Sequence, residues 1–290
     1  MRIEVNGVRL FFDIEGPKLA VEDNALVERP TLILLHGGPG MDHALFKPQN
    51  SALADIAQIV YLDHRANGRS DSGPQDRWCL EQWADDIAAF CDALEIDKPV
   101  IQGVSFGGFV AQAFATRYPE RLGGLVLVST AARMDFEQVY DAFERRGGPD
   151  ARRTAKAYWG SPSIETRNAC IAHCLPLYTY RAADPSWMKR VIRRDDVALH
   201  FNGPANEQGR MDHVDGLARI TCPTLVMAGE DDPITPMVFS EEIVAGLTNA
   251  PVQFERYAKC GHGVFGDVPE EAMVSLRQFL LDRQSNEEGD

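Results

Sequence analysis

Gly103-Val104-Ser105-Phe106-Gly107-Gly108 constrains the fold more than any other stretch of this chain. It follows an apolar, strand-like run, Pro99-Val100-Ile101, and precedes a helix-like run from Phe109 to Ala115. Gly-x-Ser-x-Gly between a strand and a helix makes a turn so tight that the serine sits in a strained backbone conformation, the nucleophile elbow. Side chains at Gly103 and Gly107 would collide across the bend. The turn lifts the Ser105 hydroxyl above the sheet and points a helix N-terminus at it. The free N–H groups and partial positive charge there favour a developing oxyanion.

The rest of the chain fits a sheet of the kind this elbow needs. Strand-like runs recur at Val8–Ile14, Thr31–Leu35, Ile59–Leu62, Pro99–Val104, Leu122–Val128, Thr224–Ala228 and Val252–Tyr257. Asn6-Gly7 reads as the turn of an N-terminal hairpin. Between the strands, Glu81 to Leu94 has helical spacing with Trp83, Ile87, Phe90 and Leu94 on one face, and Pro269 to Leu281 reads as a closing helix. Near-continuous apolar strands alternating with helices predict an α/β fold, a mostly parallel sheet covered by helices on both faces. The alternation breaks between residues 131 and 220, where the pattern turns helical. So long a loop without structure is improbable, and the segment reads as a helical cap, or lid, inserted into a core of residues 1–130 and 221–290.

Charge separates these parts too. The chain of 290 residues carries a net charge of −14, yet residues 131–220 hold 14 Lys and Arg against 12 Asp and Glu. The remainder is strongly acidic, which argues against nucleic acid and anionic membranes as partners. No run approaches the ~18 apolar residues of a membrane span. The N-terminal residues lack the continuous apolar core of a signal peptide, so the cytoplasm is the expected location. The six cysteines are dispersed, as expected of free, mostly buried thiols in a reducing compartment.

An activated serine needs a general base, and the base needs an orienting acid. Of seven histidines, His262 stands in Cys260-Gly261-His262-Gly263, after the last strand and before the final helix. The acid is expected after the preceding strand, in Gly229-Glu230-Asp231-Asp232-Pro233-Ile234-Thr235-Pro236. Asp232 is preferred to Asp231 and Glu230 because it precedes Pro233 where the chain leaves the sheet. The order Ser, Asp, His follows. His36-Gly37-Gly38-Pro39-Gly40 comes directly after an early strand, so Gly38 N–H and Phe106 N–H are the expected oxyanion-hole donors, with His36 bracing the loop. His43 and His64 border the site at most.

Together with Asp63-His64-Arg65-Ala66-Asn67-Gly68-Arg69-Ser70, these motifs resemble those of α/β-hydrolase superfamily serine hydrolases. The His-Gly-Gly-Pro-Gly and Asp-x-Arg-x-x-Gly-Arg-Ser runs are similar to those of the proline iminopeptidases. Two positions depart from that branch: Phe106 stands where it usually has Trp, and His64 where it usually has Gln. The resemblance implies cleavage of a small carboxylic ester, a lactone or an N-terminal aminoacyl amide through an acyl-enzyme. It implies no metal and no other cofactor, and a small molecule as the partner. The alternatives are a proline iminopeptidase-type aminopeptidase specifically, a slow-turnover ligand-binding protein, and a C–C bond hydrolase on the same fold.

Other features are expected to be structural. Arg65 and Arg69 pin their loop to nearby carboxylates, and Cys170-Ile171-Ala172-His173-Cys174 packs within the cap. An aminopeptidase needs acidic groups for the substrate amine, and Glu137, Glu144 and Glu207 are the cap candidates. Most of the cap aromatics, Phe136, Tyr140, Phe143, Tyr158, Trp159, Tyr178, Tyr180 and Trp187, are expected to form its core.

Overall fold

The computed structural model describes residues 1–181, 186–203 and 205–287. Its main sheet contains β1 (Arg2–Val5), β2 (Val8–Glu15), β5 (Thr31–Leu35), β6 (Gln58–Leu62), β7 (Val100–Val104), β8 (Gly124–Val128), β9 (Thr224–Gly229) and β10 (Val252–Tyr257), in the spatial order β1-β2-β6-β5-β7-β8-β9-β10. β2 runs antiparallel to both neighbours, and every pairing from β6 to β10 is parallel. A second hairpin, β3 (Leu19–Glu22) with β4 (Ala25–Glu28), stands apart from the sheet.

Strands β5 to β9 are mostly apolar because both of their faces are covered, whereas the edge strand β10 carries Gln253, Glu255 and Arg256 and is only half-buried. On β5, Ile33 and Leu35 enter one core cluster while Leu32 and Leu34 enter the other. β8 divides in the same way, Leu125 and Leu127 against Val126 and Val128. One face is closed by α1 (Leu80–Ala93) and α2 (Phe106–Arg117), through residues including Trp83, Ile87, Phe90, Val110 and Phe114.

The connection from β8 to β9 holds α3 (Phe136–Gly160), α4 (Ile164–His173), α5 (Trp187–Arg190), α6 (Asp195–Asn202), α7 (Glu207–Arg210) and α8 (Val214–Leu217). Gly148 departs from helical geometry and precedes Pro149, breaking α3 into two helical pieces. The two ends of the connection meet where Arg133 bridges Asp212 and His213 N–H donates to Ala132 O at 2.9 Å. After β9 come α9 (Met237–Gly246), α10 (Val264–Asp267) and α11 (Pro269–Glu287). The last covers the second face with Ala272, Leu276, Phe279 and Leu280. Among the described residues, no helix is long and apolar enough to cross a membrane.

Candidate active site

β7 delivers Ser105 to the carboxyl end of the sheet, and α2 begins at the next residue. Ser105 has φ 54° and ψ −117°, a conformation that costs a non-glycine residue roughly 1–3 kcal/mol. The surroundings enforce it. Ser105 N–H donates to Val128 O at 2.9 Å, and Ser105 O accepts from Gly108 N–H at 2.8 Å and from the Thr130 hydroxyl at 2.9 Å. A Cβ on Gly103 would strike the Gly107 carbonyl, and one on Gly107 would strike the Leu35 carbonyl, so the bend closes only with glycine at both positions. The Phe106 ring is fully buried, edge-on to Trp83 of α1, Phe201 of α6 and His64, with centroids 5.0, 5.2 and 5.4 Å away. This packing fixes the start of α2, whose first amide, Phe106 N–H, has no acceptor within the helix.

His262 follows β10, in the loop before α10. Its Nε2 lies 2.9 Å from Ser105 Oγ and its Nδ1 lies 2.7 Å from Asp232 Oδ2. Asp232 follows β9 and is 3% exposed. Oδ1 accepts from Ile234 N–H at 2.7 Å and Thr235 N–H at 2.9 Å, and Oδ2 accepts from the Thr235 hydroxyl at 2.7 Å. These bonds aim the carboxylate at the imidazole and compensate for its burial. Asp231, adjacent in sequence, is exposed and accepts from the Tyr180 hydroxyl at 2.7 Å. The three residues come from three loops, and the sheet aligns them in one hydrogen-bonded row.

The loop after β5 lies against the elbow: a Cβ on Gly37 would stand 3.6 Å from the Ser105 Cβ. Gly38 has φ 127°, a region that L side chains rarely adopt. The loop is braced from behind. His36 Nδ1–H donates to Gly37 O at 2.8 Å, while its Nε2 accepts a long bond, 3.3 Å, from His64 N–H. These partners select the Nδ1–H tautomer, and burial, the largest effect, pushes the His36 pKa down. Burial, the largest effect, also pushes His64 well below the usual imidazole range. Gly40 N–H donates to Asn67 Oδ1 at 2.7 Å. Asp42 joins Arg69 at 2.7 Å, and Asp63 accepts from both the backbone and Nδ1 of His43, at 2.9 and 2.7 Å.

The arginines are occupied by protein carboxylates. Arg65 makes a buried two-pronged pair with Asp86, 2.7 Å at each prong, and Arg69 binds Asp42. The carboxylates of the β8–β9 connection expected to bind an amine are occupied as well. Glu137 pairs with Arg152 and Lys156, and Glu144 also faces Arg152. Glu207 is buried, pairs with Arg210 and accepts the first amide of α1, Leu80 N–H, at 3.2 Å. Cys170 and Cys174 are buried free thiols, whereas His173 between them is exposed. Tyr140, Phe143 and Tyr158 are buried, and ring contacts run from Phe136 through Trp159 and Phe143 to Tyr178. The Tyr178 ring stands edge-on to His262 at 5.5 Å.

Three contributors had no separate signal in the sequence: Thr235 on Asp232, Tyr178 beside His262, and Asp267 beneath the His262 loop. Thr235 lay within the motif that supplied the acid. Tyr178 and Asp267 act through contacts between distant segments, which no local pattern encodes.

The family model for the alpha/beta hydrolase fold matches residues 30–269. RutD from Caulobacter sp. strain K31, named as a carbamate hydrolase, is 28% identical over 92% of this chain and 96% of its own. A thermophilic esterase from Thermogutta terrifontis superposes with a TM-score of 0.70 at 25% identity, over 98% of this chain and 99% of its own. Proline iminopeptidase from Mycobacterium smegmatis reaches a TM-score of 0.75 at 23% identity over 99% of both chains, a likeness of fold. The chain belongs to the α/β-hydrolase fold family and is a hydrolase of that family.

Proposed function

We propose that this hydrolase cleaves a small ester, lactone or carbamate bearing no charged amine, through an acyl-enzyme on Ser105. The observation that carries the reading is the row Ser105 Oγ, His262 Nε2, His262 Nδ1 and Asp232 Oδ2, closed at 2.9 and 2.7 Å. Ser105 Oγ attacks the carbonyl carbon as His262 takes its proton, and Asp232 stabilises the resulting imidazolium. The amides of Gly38 and Phe106 stabilise the oxyanion of the tetrahedral intermediate. Collapse expels the alcohol, which takes the proton from His262. Water, deprotonated by His262, then attacks the acyl group and frees Ser105.

The helices of residues 131–220 act as the cap that selects the acyl group. Their candidate amine ligands support the choice of substrate. Glu137, Glu144 and Glu207 are all engaged by arginine, lysine or backbone, so binding a protonated N-terminus there means breaking an existing ion pair. The RutD relatives support carbamates alongside simple esters. Six free thiols fit activity in a reducing cytoplasm.

The test is a substrate panel of p-nitrophenyl acetate and butyrate, an acyl homoserine lactone, a carbamate, and prolyl and alanyl naphthylamides. The neutral acyl compounds are expected to exceed the aminoacyl amides in kcat/KM by at least ~10²-fold. Faster cleavage of the aminoacyl amides would establish the aminopeptidase reading instead.

A further inference from the structure

The loop that carries His262 is held by a segment distant from it in sequence. Its backbone is flanked by glycines, Gly261 and Gly263, and so has little stiffness of its own. The carbonyls at its ends accept from Asp231 N–H at Cys260 and from Gly266 and Asp267 N–H at Gly263, and two further contacts hold the donors between them. His262 N–H donates to Tyr178 O at 2.6 Å, and Gly261 N–H donates to Asp267 Oδ2 at 2.8 Å. The approach is close, since a Cβ on Gly261 would collide with the Tyr178 carbonyl.

Asp267 ends α10, five residues after His262, and is only 4% exposed. While Oδ2 holds Gly261, Oδ1 accepts from Tyr180 N–H at 2.7 Å and Arg181 N–H at 2.8 Å. One buried carboxylate therefore satisfies three backbone donors from two segments about 80 residues apart. Tyr178, Tyr180 and Arg181 belong to the connection from β8 to β9, whereas Gly261 and His262 belong to the core loop. The carboxylate is the joint between them, and it adjoins the residue whose ring must meet Ser105 and Asp232 at once.

We propose that Asp267 is a positioning residue for the hydrolytic reaction: by clamping Gly261 to the 178–181 segment, it fixes the His262 imidazole between Ser105 and Asp232. The inference rests on the reading of His262 as the general base. Asp267 touches neither substrate nor the reacting atoms; it acts through the backbone of its neighbour. Without the clamp, the imidazole samples positions away from the 2.9 and 2.7 Å contacts, and an error of about an ångström in such a group costs on the order of 10²-fold in rate. The loss falls on kcat, because the clamp holds the base and not the substrate.

The experiment compares Asp267→Asn, Asp267→Ala, Tyr180→Phe and His262→Ala with the wild type on p-nitrophenyl acetate, with kcat normalised to the folded fraction from circular dichroism. Asn keeps the shape of Asp but turns an NH2 group toward one set of N–H donors, so it breaks one side of the clamp with little change in packing. Asp267→Asn is expected to lower kcat by ~10–100-fold and to change KM by no more than about 3-fold. Tyr180→Phe retains the backbone bond to Asp267 and gives up only the hydroxyl bond to Asp231, and is expected to keep kcat within about 2-fold. If Asp267→Ala fails to fold, Asp267→Asn decides alone. Folded Asp267→Asn with wild-type kcat, or with its loss falling on KM and not on kcat, would overturn the proposal, provided that His262→Ala is inactive. Activity retained in His262→Ala would instead overturn the assignment of the base, on which the proposal stands.

Discussion

His262 Nδ1 faces Asp232 Oδ2 at 2.7 Å, while the adjacent Asp231 turns outward to the Tyr180 hydroxyl. Two neighbouring aspartates thus have different surroundings. One is collared by two backbone amides and a threonine hydroxyl, and the other is exposed at the surface. Pro233 makes the difference: the chain turns there, and the amides of Ile234 and Thr235 fold back onto the Asp232 carboxylate.

That asymmetry predicts unequal mutants. Asp232→Asn is expected to lower kcat by ~10⁴-fold with the fold intact, because the amide stabilises neither the required tautomer nor the imidazolium. Asp231→Asn is expected to cost less than about 10-fold, since it loses one exposed hydrogen bond. Steady-state kinetics on one ester substrate checks both. The reverse ranking would move the acid to Asp231.

The buried imidazoles of His36 and His64, behind the loop that follows β5, predict a pH dependence of stability. Burial holds the pKa of His36 below its unfolded value, and that of His64 well below. As pH falls through the unfolded value of ~6.5, the unfolded chain binds protons that the native protein refuses, so stability falls. Above that pH the term vanishes. Each histidine contributes a slope of up to about 1.4 kcal/mol per pH unit in the window between its two pKa values. The Tm is expected to drop between pH 7.5 and 5.5, and His64→Gln to drop less over the same interval. A variant with the same pH slope as the wild type would contradict this account of His64.

Much of the fold was legible because both faces of the central strands are buried. β5 coincides with the apolar run at Thr31, since a strand covered on both sides has no polar positions to blur its ends, whereas β10, an edge strand with Gln253, Glu255 and Arg256, begins at Val252 just after Pro251. The N-terminal hairpin follows from Asn6 and Gly7, both at positive φ, with Val5 paired to Val8. The β3–β4 hairpin was not legible. Asp23 and Asn24 supply its turn, also at positive φ, but Leu19, Val21 and Leu26 stay exposed, so no core face marks its alternation. At the site, Ser105, Asp232 and His262 each stand in a short motif at a strand end, and their side chains meet in one hydrogen-bonded row. Glu207 shows the limit. Its composition suggested an amine ligand, but its carboxylate sits at the N-terminus of α1, a contact between segments 127 residues apart. The role of a charged side chain depends on which distant element arrives beside it.

The central claim is that Ser105 is the nucleophile, and covalent labelling tests it most directly. A fluorophosphonate probe followed by peptide mass spectrometry is expected to modify Ser105 alone, and His262→Ala is expected to suppress the labelling. In parallel, Ser105→Ala is expected to lower kcat by ~10⁶-fold on the best ester substrate. Labelling at another serine, or turnover by Ser105→Ala at the wild-type rate, would contradict the account.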